Sequence, residues 1–231
     1  MQQIQIDTPK SPRTPGSSSS SSERVMWLNA DRVLYVGLHG EPSLRTLGAI
    51  SIYVSLKCPH KICIDGETWQ ETEFSVVPPG VPHRIASGER MICNVLIESE
   101  TVDLQSLPDY IRNGRGAVDA PAALKAMRDA LDRFKRCTLR QYERTEDFDR
   151  NFFGCALPTR PIDRRIRAVL DRIKQDPNSH TSAEACAVAS HLSVSRFLHL
   201  FKAEVGSPFR SFRTWQRARS VLYYVTQNAN L

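Results

Sequence analysis

The chain has 231 residues, 41% of them hydrophobic and 24% charged, and a net charge of +6 at pH 7. That balance fits a soluble globular protein with room for two modest domains, and excludes fibrous and low-complexity classes. No apolar run approaches the roughly 20 residues needed to span a bilayer, and no basic-then-apolar leader opens the chain, which implies a cytoplasmic protein.

Six cysteines are scattered without C-x-x-C pairs. Several sit at apolar positions, where a thiol behaves as a small hydrophobe, so a reducing compartment is implied rather than a disulfide framework. The positive charge is unevenly spread. From Pro161 onward there are 11 Lys/Arg against 5 Asp/Glu, while residues 1–160 carry 20 of each. The whole excess therefore lies in the last third, as contact with a polyanion requires.

Residues 1–23 contain TPKSPRTPGSSSSSS, with too few large apolar groups to offset the entropy of folding, and predict a disordered tail. Residues 24–104 read as short strands: Arg32 to Leu38, Ala49 to Leu56, Lys61 to Ile64, Glu73 to Val77 and Met91 to Glu98. Asp65-Gly66 is a hairpin-turn signal. Many short strands at regular spacing predict a small barrel or sandwich. The segment VVPPGVPHRI is similar to the second conserved strand–turn segment of cupin barrels.

Catalytic cupins use two closely spaced histidines and a glutamate as metal ligands. No H-x-H occurs here, and His83 alone matches a ligand position, where it reads as a hydrogen-bonded turn residue. Cys58, His60 and Cys63 form a rival metal cluster, weakened because strand alternation sends some of this sulfur into packing. No Ser/His/Asp or Cys/His grouping, P-loop or G-x-G-x-x-G stands out. The sequence implies no enzyme, no metal and no cofactor, with a metal-dependent cupin enzyme as the weakest rival.

Residues 105–160 turn helical. Ala122 to Cys137 puts Leu124, Met127, Leu131 and Phe134 on one face, which must bury itself on its own barrel, on a second copy, or on both. Prolines 158 and 161 then break the chain and predict a linker near 155–161.

Residues 161–231 begin with an amphipathic helix whose inner face is Ile166, Val169, Leu170 and Ile173, with Arg164, Arg165, Arg167 and Arg172 outside. Thr181 to Gly206 then reads as two short helices around a corner at His191-Leu192. Thr181 and Glu184 form a T-x-x-E capping box, and Ala185, Val188 and Ala189 form the first inner face. Ser193 caps the second helix, in which Val194, Phe197, Leu198, Phe201 and Val205 recur at inward spacing, with Leu200 joining from the side. Ser195, His199 and Lys202 share the opposite stripe, with Arg196 beside it, and Gly206 ends the helix. Ser207 caps a last long helix, with Pro208 at its first position. Its inner stripe is Phe212, Trp215, Ala218, Leu222 and Val225, and Arg210, Arg213 and Arg217 line another face. A locked inner face behind short polar and basic groups is the pattern of a helix-turn-helix element, which can enter the major groove.

The run LSVSRFLHLFKAEVGSPFRSFRTWQRARSVL resembles the first helix-turn-helix and connecting helix of AraC/XylS-type transcription regulators. The matching residues are Leu192-Ser193, Arg196-Phe197, Leu200-Phe201-Lys202, Gly206, Pro208-Phe209, Arg217-Ala218-Arg219 and Val221-Leu222. The resemblance implies an α+β chain, with a cupin-like sensory barrel before an all-α DNA-binding domain. It places base contacts on Ser195, Leu198 and His199, and it implies a small-molecule effector in the barrel. Phosphate contacts fall on Arg196, Lys202, Arg210, Arg213 and Arg217. Relatives pair through helices at 122–137, which implies a homodimer. The family carries two helix-turn-helix units, and this sequence ends at Asn230-Leu231, about where the second would begin. Double-stranded DNA binding from this chain alone is therefore expected to be weak, with part of Trp215, Leu222, Tyr223 and Tyr224 left exposed. The alternative is a dimerising fragment that binds no DNA and modulates a full-length relative.

Overall fold

The computed structural model describes residues 24–66, 68–136 and 144–228. The tail expected over residues 1–23 lies outside them. Val-, Ile- and Tyr-rich segments suit a pleated, half-buried surface, and they form the strands of the first half. These are β1 (Val25–Leu28), β2 (Arg32–Leu38), β3 (Ile50–Val54), β4 (His60–Ile64), β5 (Gln70–Thr72), β6 (Phe74–Val77), β7 (His83–Ser87), β8 (Met91–Ile97) and β9 (Gly116–Ala117). They pair antiparallel as two sheets, one in the order β1-β2-β8-β3-β6-β9 and one in the order β5-β4-β7.

The five strands expected from sequence are present within a few residues of their expected ends. The others are short, polar or placed beside prolines, where the pattern is weak. β7 starts at His83 itself, so that residue opens a strand rather than sitting in a turn. Asp65 and Gly66 both take the left-handed backbone, at φ 52° and 83°, as the turn signal required. They sit inside a longer connection, because β4 meets β5 at Ile62↔Gln70. β9 extends the larger sheet to Ala117, past the barrel end expected at residue 104.

The period of two divides the larger sheet cleanly. Leu34, Val36, Ile50, Ile52, Val54, Phe74, Val76, Cys93, Val95 and Ile97 face a layer of helices. Tyr53, Val77 and Ile92 face the other way, toward Ile62, Ile64 and Ile85 of the small sheet. The covering helices are α2 (Pro121–Arg136) and α3 (Thr145–Phe153), which follow the one-turn helix α1 (Asp109–Arg112). Met127, Leu131 and Phe134 of α2 are buried in this core, and Leu124 packs at its edge. The stripe that could have served a second chain is thus used by the protein's own barrel. Trp27 stacks on Phe148 at 4.6 Å, and Phe148 on Phe152 at 4.4 Å.

A fully buried charge pair pins α3. Arg32 donates to both carboxylate oxygens of Asp149, from Nε at 2.8 Å and Nη2 at 2.7 Å. Its Nη1 reaches the carbonyl of Asp31 and the hydroxyl of Thr101.

The helical domain comprises α4 (Arg164–Gln175), α5 (Ala183–Ala189), α6 (Val194–Val205) and α7 (Phe209–Asn228). Its core is Ile166, Val169, Leu170 and Ile173 of α4, Cys186 and Ala187 of α5, Phe197, Phe201 and Val205 of α6, and Phe209 and Phe212 of α7. The α4 face is the one read from its spacing. Among the described residues no helix is long and apolar enough to cross a membrane.

Candidate nucleic-acid interface and its anchorage

Ser182 caps α5 by accepting from the amide of Ala185 at 3.1 Å. Thr181 does not: it is buried, and its hydroxyl meets that of Ser179. Glu184 then falls one position short of a capping box, although an acid in the first turn still suits the helix dipole. The inner face also differs from expectation. Cys186, Ala187 and Ser190 are buried, whereas Ala185 and Ala189 are exposed and Val188 is 75% exposed. In AEACAVA nearly every residue is small and apolar, so periodicity could not select the buried stripe.

The corner falls where expected. His191 takes φ 55°, the Leu192 amide reaches back to the Ala187 carbonyl, and the Ser193 hydroxyl accepts from the amide of Arg196. Gly206 closes α6 at φ 78°, with its amide on the Lys202 carbonyl. Phe197 and Phe201 are fully buried and meet Phe209 at 5.4 and 5.2 Å. This aromatic cluster fixes the rotation of α6 and turns Ser195, Arg196, His199 and Lys202 outward, all exposed. Val194 and Leu198, expected inward, are 37% and 39% exposed. Leu198, where a base contact is expected, therefore presents carbon to the outside.

The three arginines of α7 separate into different roles. Arg210 is exposed. Arg213 donates to the carbonyls of Ser179 and Thr181, and Arg217 to that of Pro177 at 3.2 Å. Both brace the loop that leads into α5. Ser207 is buried and its hydroxyl has no partner among the described residues, so it does not cap α7.

The sharpest difference from expectation is the inner stripe of α7. Trp215 is 4% exposed and Leu222 half-buried, while Ala218 is exposed and Gln216 buried. Trp215 and Leu222 pack on Val33, Ala49 and Leu96 at the end of the barrel. Glu98, one residue beyond β8, is buried there. It accepts from Trp215 Nε1 at 2.8 Å and Gln216 Nε2 at 3.1 Å, and pairs with Arg219 Nε at 2.9 Å. Glu100 pairs with Lys174 of α4 at 2.7 Å, without hydrogen-bond geometry at either carboxylate oxygen. The Ser99 hydroxyl donates to the Val205 carbonyl at the end of α6. Burial, then repulsion from Glu100, pushes the Glu98 carboxyl up to about 7. Spacing alone flags part of this constellation: Phe212, Trp215, Gln216, Arg219 and Leu222 recur at helical intervals. Tyr223 and Tyr224 remain 51% and 63% exposed, as expected.

Beside the apolar cluster between the two sheets, the barrel interior holds a set of buried polar groups. The Tyr53 hydroxyl meets His83 Nε2 at 2.8 Å, and His83 Nδ1 meets the Val81 carbonyl. His60 lies between the hydroxyls of Ser55 and Ser75, both at 2.8 Å. Close to Tyr53, Arg45 Nε, Ser51 Oγ and Asn94 Oδ1 are buried without a hydrogen bond of good geometry among the described residues. Cys58 is exposed, and alternation sends Cys63 to the opposite face of β4 from His60. Among the described residues no group of three or more His, Cys, Asp or Glu is placed to hold a metal.

No protein-family model matches the sequence, and neither does any curated protein. Among solved structures, the chain is similar to ToxT from Vibrio cholerae. An apo form of a ToxT variant aligns at 13% identity and a TM-score of 0.51, covering 84% of this chain and 82% of that one. The unsaturated fatty acid-bound wild-type ToxT aligns at 13% identity and a TM-score of 0.51, covering 87% and 83%. The fold is accordingly ToxT-like and α+β, a cupin-like barrel followed by a helical domain.

Proposed function

We propose that the chain is an effector-responsive, DNA-binding transcription regulator of AraC type. What carries this reading is the outward polar stripe of α6, held in one rotation by Phe197 and Phe201 behind it. Ser195 and His199 offer hydrogen-bonding groups to base edges, and Leu198 offers methyls to an apolar base edge. Arg196, Lys202 and Arg210 hold phosphates, which set register without reading sequence. Arg217 adds to them from its partly engaged position. Arg213 acts instead as a brace for the α5 loop.

The barrel is the sensory part of the proposal. Arg45, Ser51 and Asn94 around Tyr53 supply both donors and acceptors, which suits a small polar ligand.

The test is selection of a duplex from a random pool, followed by titration of the S195A/H199A/K202A variant. All three side chains are exposed, so melting should not change. Affinity for the selected duplex should fall at least 100-fold, since good base contacts are each worth about 1–3 kcal/mol. Equal binding by variant and wild type would refute the assignment of α6.

A further inference from the structure

We infer, on the footing of the DNA-binding reading, that Trp215 and the Glu98–Glu100 segment form a latch that couples the barrel interior to the orientation of α6. The coupling element is β8. Asn94, Leu96 and Glu98 lie two residues apart along this strand and its continuation, so the pleat sends them to one side. Asn94 stands opposite Tyr53, beside the polar groups of the barrel interior. Leu96 packs against Trp215. Glu98 takes the Trp215 and Gln216 hydrogen bonds and the Arg219 ion pair. A shift of β8 at Asn94 is thus felt at α7 within four residues.

The latch also grips the reading element itself. Ser99 holds the last carbonyl of α6, and Glu100 holds Lys174 of the bracing helix α4. Contact is close: a methyl added at Gly48 would lie 2.8 Å from Trp215 Cβ and 3.1 Å from Cγ, at the rigid root of the ring. Beside the latch, a half-open cleft of about 440 Å³ reaches Lys174, Gln216 and Arg219, so the cations of the ion pairs are approached from one side. A contact that is charged, close-fitting and open at one edge is suited to release rather than to permanent fusion of the two domains.

The experiment is amide hydrogen exchange on the full chain and on Gly48→Ala and Trp215→Phe, with duplex binding measured in parallel. Peptides spanning 98–101 and the connector 157–163 should exchange at least ten-fold faster in both variants. Peptides spanning 50–54 and 166–173 should hold their protection, which separates unlatching from general loosening. Duplex affinity should change at least ten-fold in the same variants. If Gly48→Ala also loosens 50–54, Trp215→Phe decides, because it leaves the barrel chain intact. Unchanged exchange at 98–101 in Trp215→Phe overturns the latch, as does faster exchange with unchanged duplex affinity. If exchange responds but neither wild type nor variants bind any duplex, the DNA-binding reading falls while the docking contact stands.

Discussion

Replacing Asp149 by alanine should destabilise the fold by about 3–5 kcal/mol, because it strands a buried guanidinium without its counter-charge. Arg32 is 1% exposed, and its two bonds to Asp149 are the only ones that bring it a negative partner among the described residues. The remaining partners are the Asp31 carbonyl and the Thr101 hydroxyl, which satisfy Nη1 but cannot neutralise the charge. Asp149 also accepts from the Leu157 amide at 3.3 Å, so its loss frees the start of the connector as well. Urea unfolding measures the effect. The double replacement Arg32→Met with Asp149→Leu should recover most of the loss, since removing both charges removes the desolvation problem with them. A single variant as stable as the wild type would show that the pair is open to water.

Mild acid should weaken the barrel through His60 and His83. Burial, with the nearby His39 charge, lowers His60 to about 4. Burial likewise lowers His83 to about 4, with Arg45 and His39 lowering it further against the raising effect of the Val81 carbonyl. The unfolded chain takes up protons on both rings below about 6.5, while the folded chain resists until about 4. Stability is therefore intact above 6.5 and is lost as the pH falls toward 4. Two such groups weaken folding by roughly 100-fold per pH unit within that window. Glu98 works the other way: its folded value is raised from 4.5 to about 7, so it favours the folded state on the acid side of this range. Glu98 opposes His60 and His83, and the buried His39, also lowered, adds to them, leaving a net loss of at least roughly ten-fold per pH unit. Unfolding curves between pH 7 and 4.5 should show this slope, and His60→Asn should reduce it. A slope unchanged by His60→Asn would place the acid sensitivity elsewhere.

Much of the architecture was legible because it follows from period. The α4 stripe and the buried Phe197, Phe201 and Val205 of α6 were fixed by helical spacing, and β2 by its β-branched and aromatic run. The outward trio of Ser195, His199 and Lys202 followed as the complement of that buried face. What spacing could not deliver was anything set by contact between distant segments. Trp215 looked like the unpartnered inner face of a helix. Its partner is the barrel end at Gly48 and Leu96, more than 100 residues earlier. Glu98 read as the last residue of a strand, with nothing to mark Glu100 beyond it, yet both are buried against cations from α4 and α7. Arg213 read as a phosphate contact until the carbonyls of Ser179 and Thr181 came within its reach. α5 failed for a different reason: a helix of alanines carries no contrast between its faces.

Titration of the wild-type chain with a selected duplex across a range of salt concentrations tests the central claim most directly. With Arg196, Lys202 and Arg210 on phosphates and Arg217 adding to them, the log–log slope of affinity against salt should be about −3 to −4, and Lys202→Ala should bring it nearer zero by about one. Binding that is absent at 50 mM salt, or that Lys202→Ala leaves unchanged in slope, would contradict a DNA-facing α6.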